Sequence, residues 1–159
     1  GAAPGTAGWK AMGELVQGQV LAVCISEVRG IAKHPVESIH LIPGHGIQGD
    51  AHAGNWHRQV SLLAQESVDK LQSKITLQLN PGDFAENVLT RGIDLKSLPV
   101  GTRLRLGGAL GEVTQIGKEC HNDCAIRRQV GDCCMPREGI FLRVLEEGEV
   151  HPGDAVTLE

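Results

Sequence analysis

Beyond Gly18 the apolar residues fall in short runs cut by glycine, a pattern of strands in an all-β barrel or sandwich rather than of alternating strands and helices. Gln19 to Ser26 (QVLAVCIS) is a β-branched run with Cys24 inside it, where a thiol serves as a small buried hydrophobe. Val36 to Ile42 alternates apolar and polar positions as a half-buried strand does, and Pro43 with Gly44 ends it. Gly44, Gly46, Gly49 and Gly54 then interrupt regular structure until Gln59 to Leu63 recovers strand character. Gln65 to Ser73 (QESVDKLQS) is the one convincing helix, with Ala64, Val68 and Leu71 on one face, and it is expected to cap an open end of the barrel. Ile75 to Leu79 alternates again, Asn80-Pro81-Gly82 turns the chain, and Phe84 to Leu89 sets Glu86 and Asn87 between apolar neighbours. Thr102 to Leu106 and Ala109 to Ile116 pair about the turn Gly107-Gly108; Ile140 to Leu145, a turn around Gly148, and Ala155 to Leu158 complete the pattern. The expected fold is mostly β, a compact barrel with one or two short helices, in one domain from residue 12 to residue 159. Gly1 to Ala11, rich in small residues, reads as an added remnant or disordered arm outside that fold.

Composition narrows the classes of function. A chain of 159 residues buries a core without staples, so its five cysteines are not required for folding. The formal net charge of -4, with both signs mixed, lacks the basic face that nucleic acid demands, so any anion site is local. No apolar run approaches the roughly 20 residues of a membrane helix and no signal peptide is evident, which makes the cytoplasm the expected compartment. The cysteine count is odd and Cys133 adjoins Cys134; reduced thiols fit better than a disulfide framework.

Candidate chemistry concentrates in Glu112 to Gly139, which holds Cys120, Cys124, Cys133 and Cys134, His121 beside the first, and Arg127, Arg128 and Arg137. Thiolates form near neutral pH when cations stand beside them, and the same guanidinium groups suit phosphate or carboxylate. Zinc is the rival reading of these thiols, but paired Cys-x-x-Cys knuckles are absent and adjacent cysteines are awkward ligands for one ion. A second loop carries His45, Asp50, His52, His57 and Arg58 among its glycines. It reads as a solvated loop, as the lining of an anion site, or as a metal site, although its spacing fits no specific metal motif. Glu86 and Asn87, as polar groups among apolar ones, must find partners: they tie down a neighbouring loop or face a ligand.

In this order and spacing, GDAHAGNWHRQVSLL, GDFAENVLTRGIDLKSLPVGTRLRLGGALGEVTQIGKEC and GDCCMPREGIFLRVLEEGEVHPGD resemble the MOSC domain family, named from the C-terminal domain of molybdenum cofactor sulfurase. The resemblance runs from about Gln19 to the C-terminus. It implies a strand-rich barrel and a link to the molybdenum cofactor, as substrate or ligand, with Cys120 after the strand Glu112-Val113-Thr114 as the thiol that carries persulfide sulfur or coordinates molybdenum. Asp50, His52, His57, Arg58, Glu86, Asn87 and Arg137 match other recurrent family positions and would line the same pocket. Glu119 stands where many relatives have proline, and Cys124, Cys133 and Cys134 are not general to the family.

The resulting expectation is a sulfur carrier or sulfurtransferase in molybdenum or tungsten cofactor maturation. Cys120 accepts sulfur, Cys124 or Cys133 resolves the persulfide, and His52, His57 or His121 moves protons. No pyridoxal-phosphate desulfurase is recognised in the chain, so a separate sulfur donor such as a cysteine desulfurase is expected, with a molybdenum or tungsten apoenzyme as recipient. Two other readings stay open: a module that binds and delivers finished cofactor, and another cysteine-based enzyme such as a carbon–sulfur lyase or a molybdenum-dependent reductase.

Overall fold

The computed structural model describes residues 17–29, 31–117 and 138–159. Its strands are β1 (Gln17–Ile25), β2 (His34–Val36), β3 (Ile39–Ile42), β4 (Gly46–Ile47), β5 (Val60–Ala64), β6 (Val88–Arg91), β7 (Arg103–Leu106), β8 (Ala109–Ile116), β9 (Ile140–Glu146), β10 (Gly148–Val150) and β11 (Ala155–Leu158). One helix, α1 (Gln65–Gln72), and a 3-10 turn at Leu95–Ser97 join them. The order β11-β7-β8-β9-β5-β6-β1, with β1 pairing back to β11, closes seven strands into a barrel, and β2 is appended to the far end of β1. A separate sheet has the order β10-β3-β4.

Closure follows from period-two alternation. Leu62, Val88, Ile140 and Leu142 turn inward to one apolar cluster with Leu104, Leu106 and Val156. Their strand neighbours Leu63, Leu89 and Phe141 turn outward to a second cluster. In β1 a register shift between Val20 and Ala22 changes the phase, so Val20 and Val23 face inward while Ala22 and Cys24 face outward. Val88, Leu62, Leu104 and Leu142 are fully buried, each stabilising the fold by roughly 1.5–3 kcal/mol relative to exposure.

The helix predicted at Gln65 to Ser73 forms, but it covers the barrel's flank and not an open end. Val68 and Leu71 pack into the outward cluster with Leu63, Leu89 and Phe141. The small sheet instead feeds Ile39, Leu41, Ile47 and Val150 to the interior. The single strand expected over Val36 to Ile42 is two: β2 follows β1 through Val36↔Val23, the chain breaks at Glu37 and Ser38, and β3 crosses to β10. Pro35 is tolerated because β2 is an edge strand. Ile75 to Leu79 is not a strand; Gln72 draws it against the helix end by donating to the Leu77 carbonyl and accepting the Leu79 amide. Gly148, expected as a turn, is the first residue of β10, and a Cβ there would lie 2.2 Å from the Gly108 carbonyl oxygen. Among the described residues no helix is long and apolar enough to cross a membrane. The arm at 1–11 lies outside the described residues.

Candidate functional site

The glycine-rich loop between β4 and β5 is held from below by a buried ion pair. Lys33 Nζ donates to Asp50 Oδ1 at 2.7 Å, both side chains being all but inaccessible. The Ser26 amide also reaches Oδ1, and the His52 amide reaches Oδ2, each at 3.1 Å. Asp50 is thus spent on fixing the loop. Lys33 turns on to His52, with Nζ 3.0 Å from Nδ1.

Above this layer lies a cleft of about 80 Å³, lined by His52, Trp56, Arg58, Ser61, Asn87 and Phe141. That is room for several waters or one small polyatomic anion. The Trp56 indole is pinned by its Nε1 bond to the His52 carbonyl, 2.9 Å, and the Arg58 guanidinium stacks between two rings, 4.7 Å from Trp56 and 5.6 Å from Phe141. Arg58 Nε is buried without a hydrogen-bond partner, and no carboxylate pairs with this guanidinium among the described residues. Ser61 and Asn87, by contrast, satisfy each other: Asn87 Oδ1 accepts from the Ser61 amide and hydroxyl, while its Nδ2 donates to the Cys24 carbonyl. They form a wall across β1, β5 and β6, and among the described residues the cleft's uncommitted positive group is Arg58.

Glu86 sits elsewhere. Its carboxylate accepts the Gly82 amide (2.8 Å) and the Phe84 amide (3.2 Å), tying down the turn before β6. Burial pushes its carboxyl up to about 7, against those backbone bonds, which pull it down. The same turn holds Ala85 at a φ of 63°, an uncommon conformation for a residue with a side chain. Cys24 is the buried structural thiol expected from its strand, pushed up to about 12 first by burial and then by Glu86.

His57 lies beyond Trp56, lining a second cleft with Gln59 and Arg143, and its Nε2 meets Gln115 Oε1 at 2.8 Å. Gln115 Nε2 in turn donates to the Gly117 carbonyl, and Thr114 Oγ1 donates to the backbone carbonyls of His57 and Phe141. Gly117 and Gly139, which bracket the cysteine-rich stretch, meet through a 2.6 Å backbone bond just past the Ile116↔Ile140 pair. Glu138 bonds Ser67 and Lys70 of α1; burial raises its carboxyl, but those two donors outweigh it and leave it below the usual value. Cys120, His121, Cys124, Cys133 and Arg137 themselves lie outside the described residues.

The structure therefore gathers His52, Arg58 and Asn87 at one cleft, with Asp50 beneath them, and sets Glu86 and His57 apart. Lys33, Trp56, Ser61 and Phe141 belong to the site but were not among its expected residues. Two of them had a signal: the chain has only two Trp, two Phe and no Tyr, and an aromatic directly before His57-Arg58 is conspicuous in such a sequence. Among the described residues no group of three His, Cys, Asp or Glu side chains converges as a metal site requires.

Comparison with known proteins places these features in a wider set. A family model described as MOSC domain matches residues 49–157. The uncharacterized protein YflK of Bacillus subtilis (strain 168) is 26% identical over 134 residues, 78% of this chain and 60% of that protein, so the chain spans about 60% of that relative's length. The crystal structure of the YUAD protein from Bacillus subtilis superposes with a TM-score of 0.74 at 20% identity, covering 89% of this chain and 95% of that one. YiiM from Geobacillus stearothermophilus gives 0.70 at 20% identity, over 89% and 75%. At these identities the solved structures establish a shared fold.

Proposed function

The chain belongs to the MOSC domain family, which is associated with molybdenum cofactor sulfurase-like proteins, and from that premise we propose that it carries sulfur for maturation of a molybdenum or tungsten cofactor. The observation that supports this reading is Arg58, a guanidinium stacked between two aromatic rings with a buried Nε and no carboxylate partner among the described residues. A cation left in that condition calls for an anionic ligand, and a planar guanidinium fits phosphate. The cofactor is the substrate here, and its phosphate end is the part that would enter the cleft beside Arg58.

In this mechanism the Cys120 thiolate attacks the sulfane sulfur of a donor persulfide, the donor's S–S bond breaks, and the donor thiolate leaves. Cys124 or Cys133 then attacks the inner sulfur of the Cys120 persulfide. A disulfide forms, the outer sulfur departs reduced as hydrosulfide for the metal, and an external thiol restores the pair. A cysteine desulfurase is the proposed donor and a molybdenum or tungsten apoenzyme the recipient. Arg58 anchors the substrate, and Arg137 assists it.

Intact native mass spectrometry tests this on protein taken from cells that make the cofactor, with and without reductant. One extra sulfur, removed by reductant and missing from Cys120→Ala, is the expected result. Cys120→Ala that accepts and delivers sulfur as well as the parent refutes the mechanism; a cofactor-sized adduct without persulfide would instead make the domain a binding and delivery module.

A further inference from the structure

Trp56 borders a second cleft, of about 230 Å³, together with His57, Gln59, Arg143, Val144 and Leu145. Gln59 is the group there with an unmet requirement. It is 3% exposed, and its Oε1 accepts the Val144 amide at 2.8 Å. A backbone N–H only donates, so this bond fixes which end of the side-chain amide is oxygen. Nε2, with two protons to give, meets no acceptor among the described residues. Register sets a second donor beside it: Val60↔Leu142 is the last pair between β5 and β9 at this end, and one residue further on Gln59 and Arg143 come level. Arg143 Nε donates to Glu112 Oε1 at 2.7 Å, a one-point contact that leaves both Nη groups without an acceptor among the described residues.

We propose that this cleft is a second binding site, for a small organic acid whose carboxylate accepts from Gln59 Nε2 and the Arg143 Nη groups. A buried donor without a partner calls for an acceptor brought from outside the chain, and the planar edge of a guanidinium matches a carboxylate. Arg143 and Glu112 are neutral as a pair, so the cleft suits one further negative charge better than two. The rest of the ligand is apolar and compact. It lies among the Trp56 and His57 rings, set edge to face 5.9 Å apart, and the side chains of Val144 and Leu145. A cavity of about 150 Å³ suffices for benzene, so about 230 Å³ holds one aromatic ring with its carboxylate. Gln59 and Arg143 play no part in the proposed sulfur transfer, and the phosphate assigned to Arg58 occupies the other cleft.

Benzoate is the probe, titrated into the nitrogen-labelled protein and followed through the Gln59 side-chain amide, which through-bond correlation to its own backbone assigns. Both Nε2 proton signals should move and saturate with benzoate. Benzyl alcohol, which has the ring without the charge, should leave them in place. Arg143→Met, at an exposed position, should weaken benzoate binding about tenfold or more. Inorganic phosphate in excess should leave the benzoate titration unchanged. Gln59 signals that ignore benzoate overturn the site. Benzyl alcohol that acts as benzoate does, or an Arg143→Met protein that binds benzoate as the parent does, overturns carboxylate recognition; the first comparison needs no variant. Displacement of benzoate by phosphate overturns the separation of the two clefts. Benzoate that binds as described in a protein with no affinity for phosphate upholds this site while the reading of Arg58 falls, so the two proposals can fail separately.

Discussion

Glu86 gives the fold a pH dependence opposite to that of most carboxylates. It is 1% exposed and lies with Asp83 and Cys24 close by, and burial is the main reason its carboxyl rises from 4.5 to about 7. Between those two values the folded chain holds a proton that the unfolded chain has released. Stability must therefore fall as pH rises from about 4.5 to about 7 and level off above, where both states are ionised. At about 1.4 kcal/mol for each tenfold, the ceiling on this loss is about 3 kcal/mol. Glu86→Gln is neutral at every pH and should abolish the slope. Where the parent is ionised, at a pH of about 8, the variant's one amide oxygen cannot serve the Gly82 and Phe84 N–H groups as two carboxylate oxygens do, a loss of about 1–2 kcal/mol in hydrogen bonding. Urea unfolding of parent and variant from pH of about 5 to about 8 measures both effects. The parent-minus-variant difference cancels the histidines, which titrate in both proteins. A difference that stays flat across this range means that the folded carboxylate ionises where the unfolded one does, and the reasoning from burial fails.

Asp50→Asn should cost about 3–5 kcal/mol in denaturant unfolding, because the Lys33 ammonium stays buried without its countercharge; a cost under 1 kcal/mol would mean that Lys33 escapes to solvent. Gly82→Ala should be comparably damaging, at about 3 kcal/mol or more: the new Cβ would lie 2.1 Å from the Lys33 carbonyl oxygen at a φ of +90°, and thermal unfolding of the variant reads the loss. Arg58→Met keeps an apolar stem against Trp56 and Phe141, so stability should change by no more than about 1–2 kcal/mol while inorganic phosphate binding, followed by calorimetry, disappears; retained binding would remove Arg58 from the site. Cys24, fully buried with its thiol pushed up to about 12, should escape alkylation in the native protein and react only on unfolding, as peptide mapping would show.

Where strands run long enough for alternation to register, sequence and structure agree closely. The hairpin predicted from Thr102 to Ile116 and the last strand at Ala155 to Leu158 appear within a residue of their expected ends. Alternation alone misled in two places because it does not specify a partner. Val36 to Ile42 has one rhythm but serves two sheets, and Ile75 to Leu79 has the rhythm with no strand to pair it. For the site, ion-bearing loop residues were legible as a group, but their division of labour was not. Asp50 and His52 are two positions apart, yet one is sealed beneath the cleft and the other lines it, a difference made by Lys33 arriving from a loop 17 residues upstream. Glu86 and Asn87 are adjacent and part company for a simpler reason: one ends the turn and bonds back into it, while the other reaches across to Ser61 and Cys24.

The anion site proposed for a chain with a net charge of -4 rests on charge layering. In the buried layer Lys33 and Asp50 cancel, so they position the loop without setting the sign of the cleft. Ser61 and Asn87 spend their hydrogen-bonding groups on one another and on the Cys24 backbone, so they shape the wall without competing for ligand. That leaves Arg58, among the described residues, as the one that sets the sign, its guanidinium lying over the Trp56 and Phe141 rings. Phe141 also belongs to β9, two residues past Gly139, where the strands that bracket the cysteine-rich stretch are joined. The proposed function accordingly asks only anion binding of this cleft, whose wall includes Phe141, and assigns the sulfur chemistry to the thiols that lie in sequence between Gly117 and Gly139.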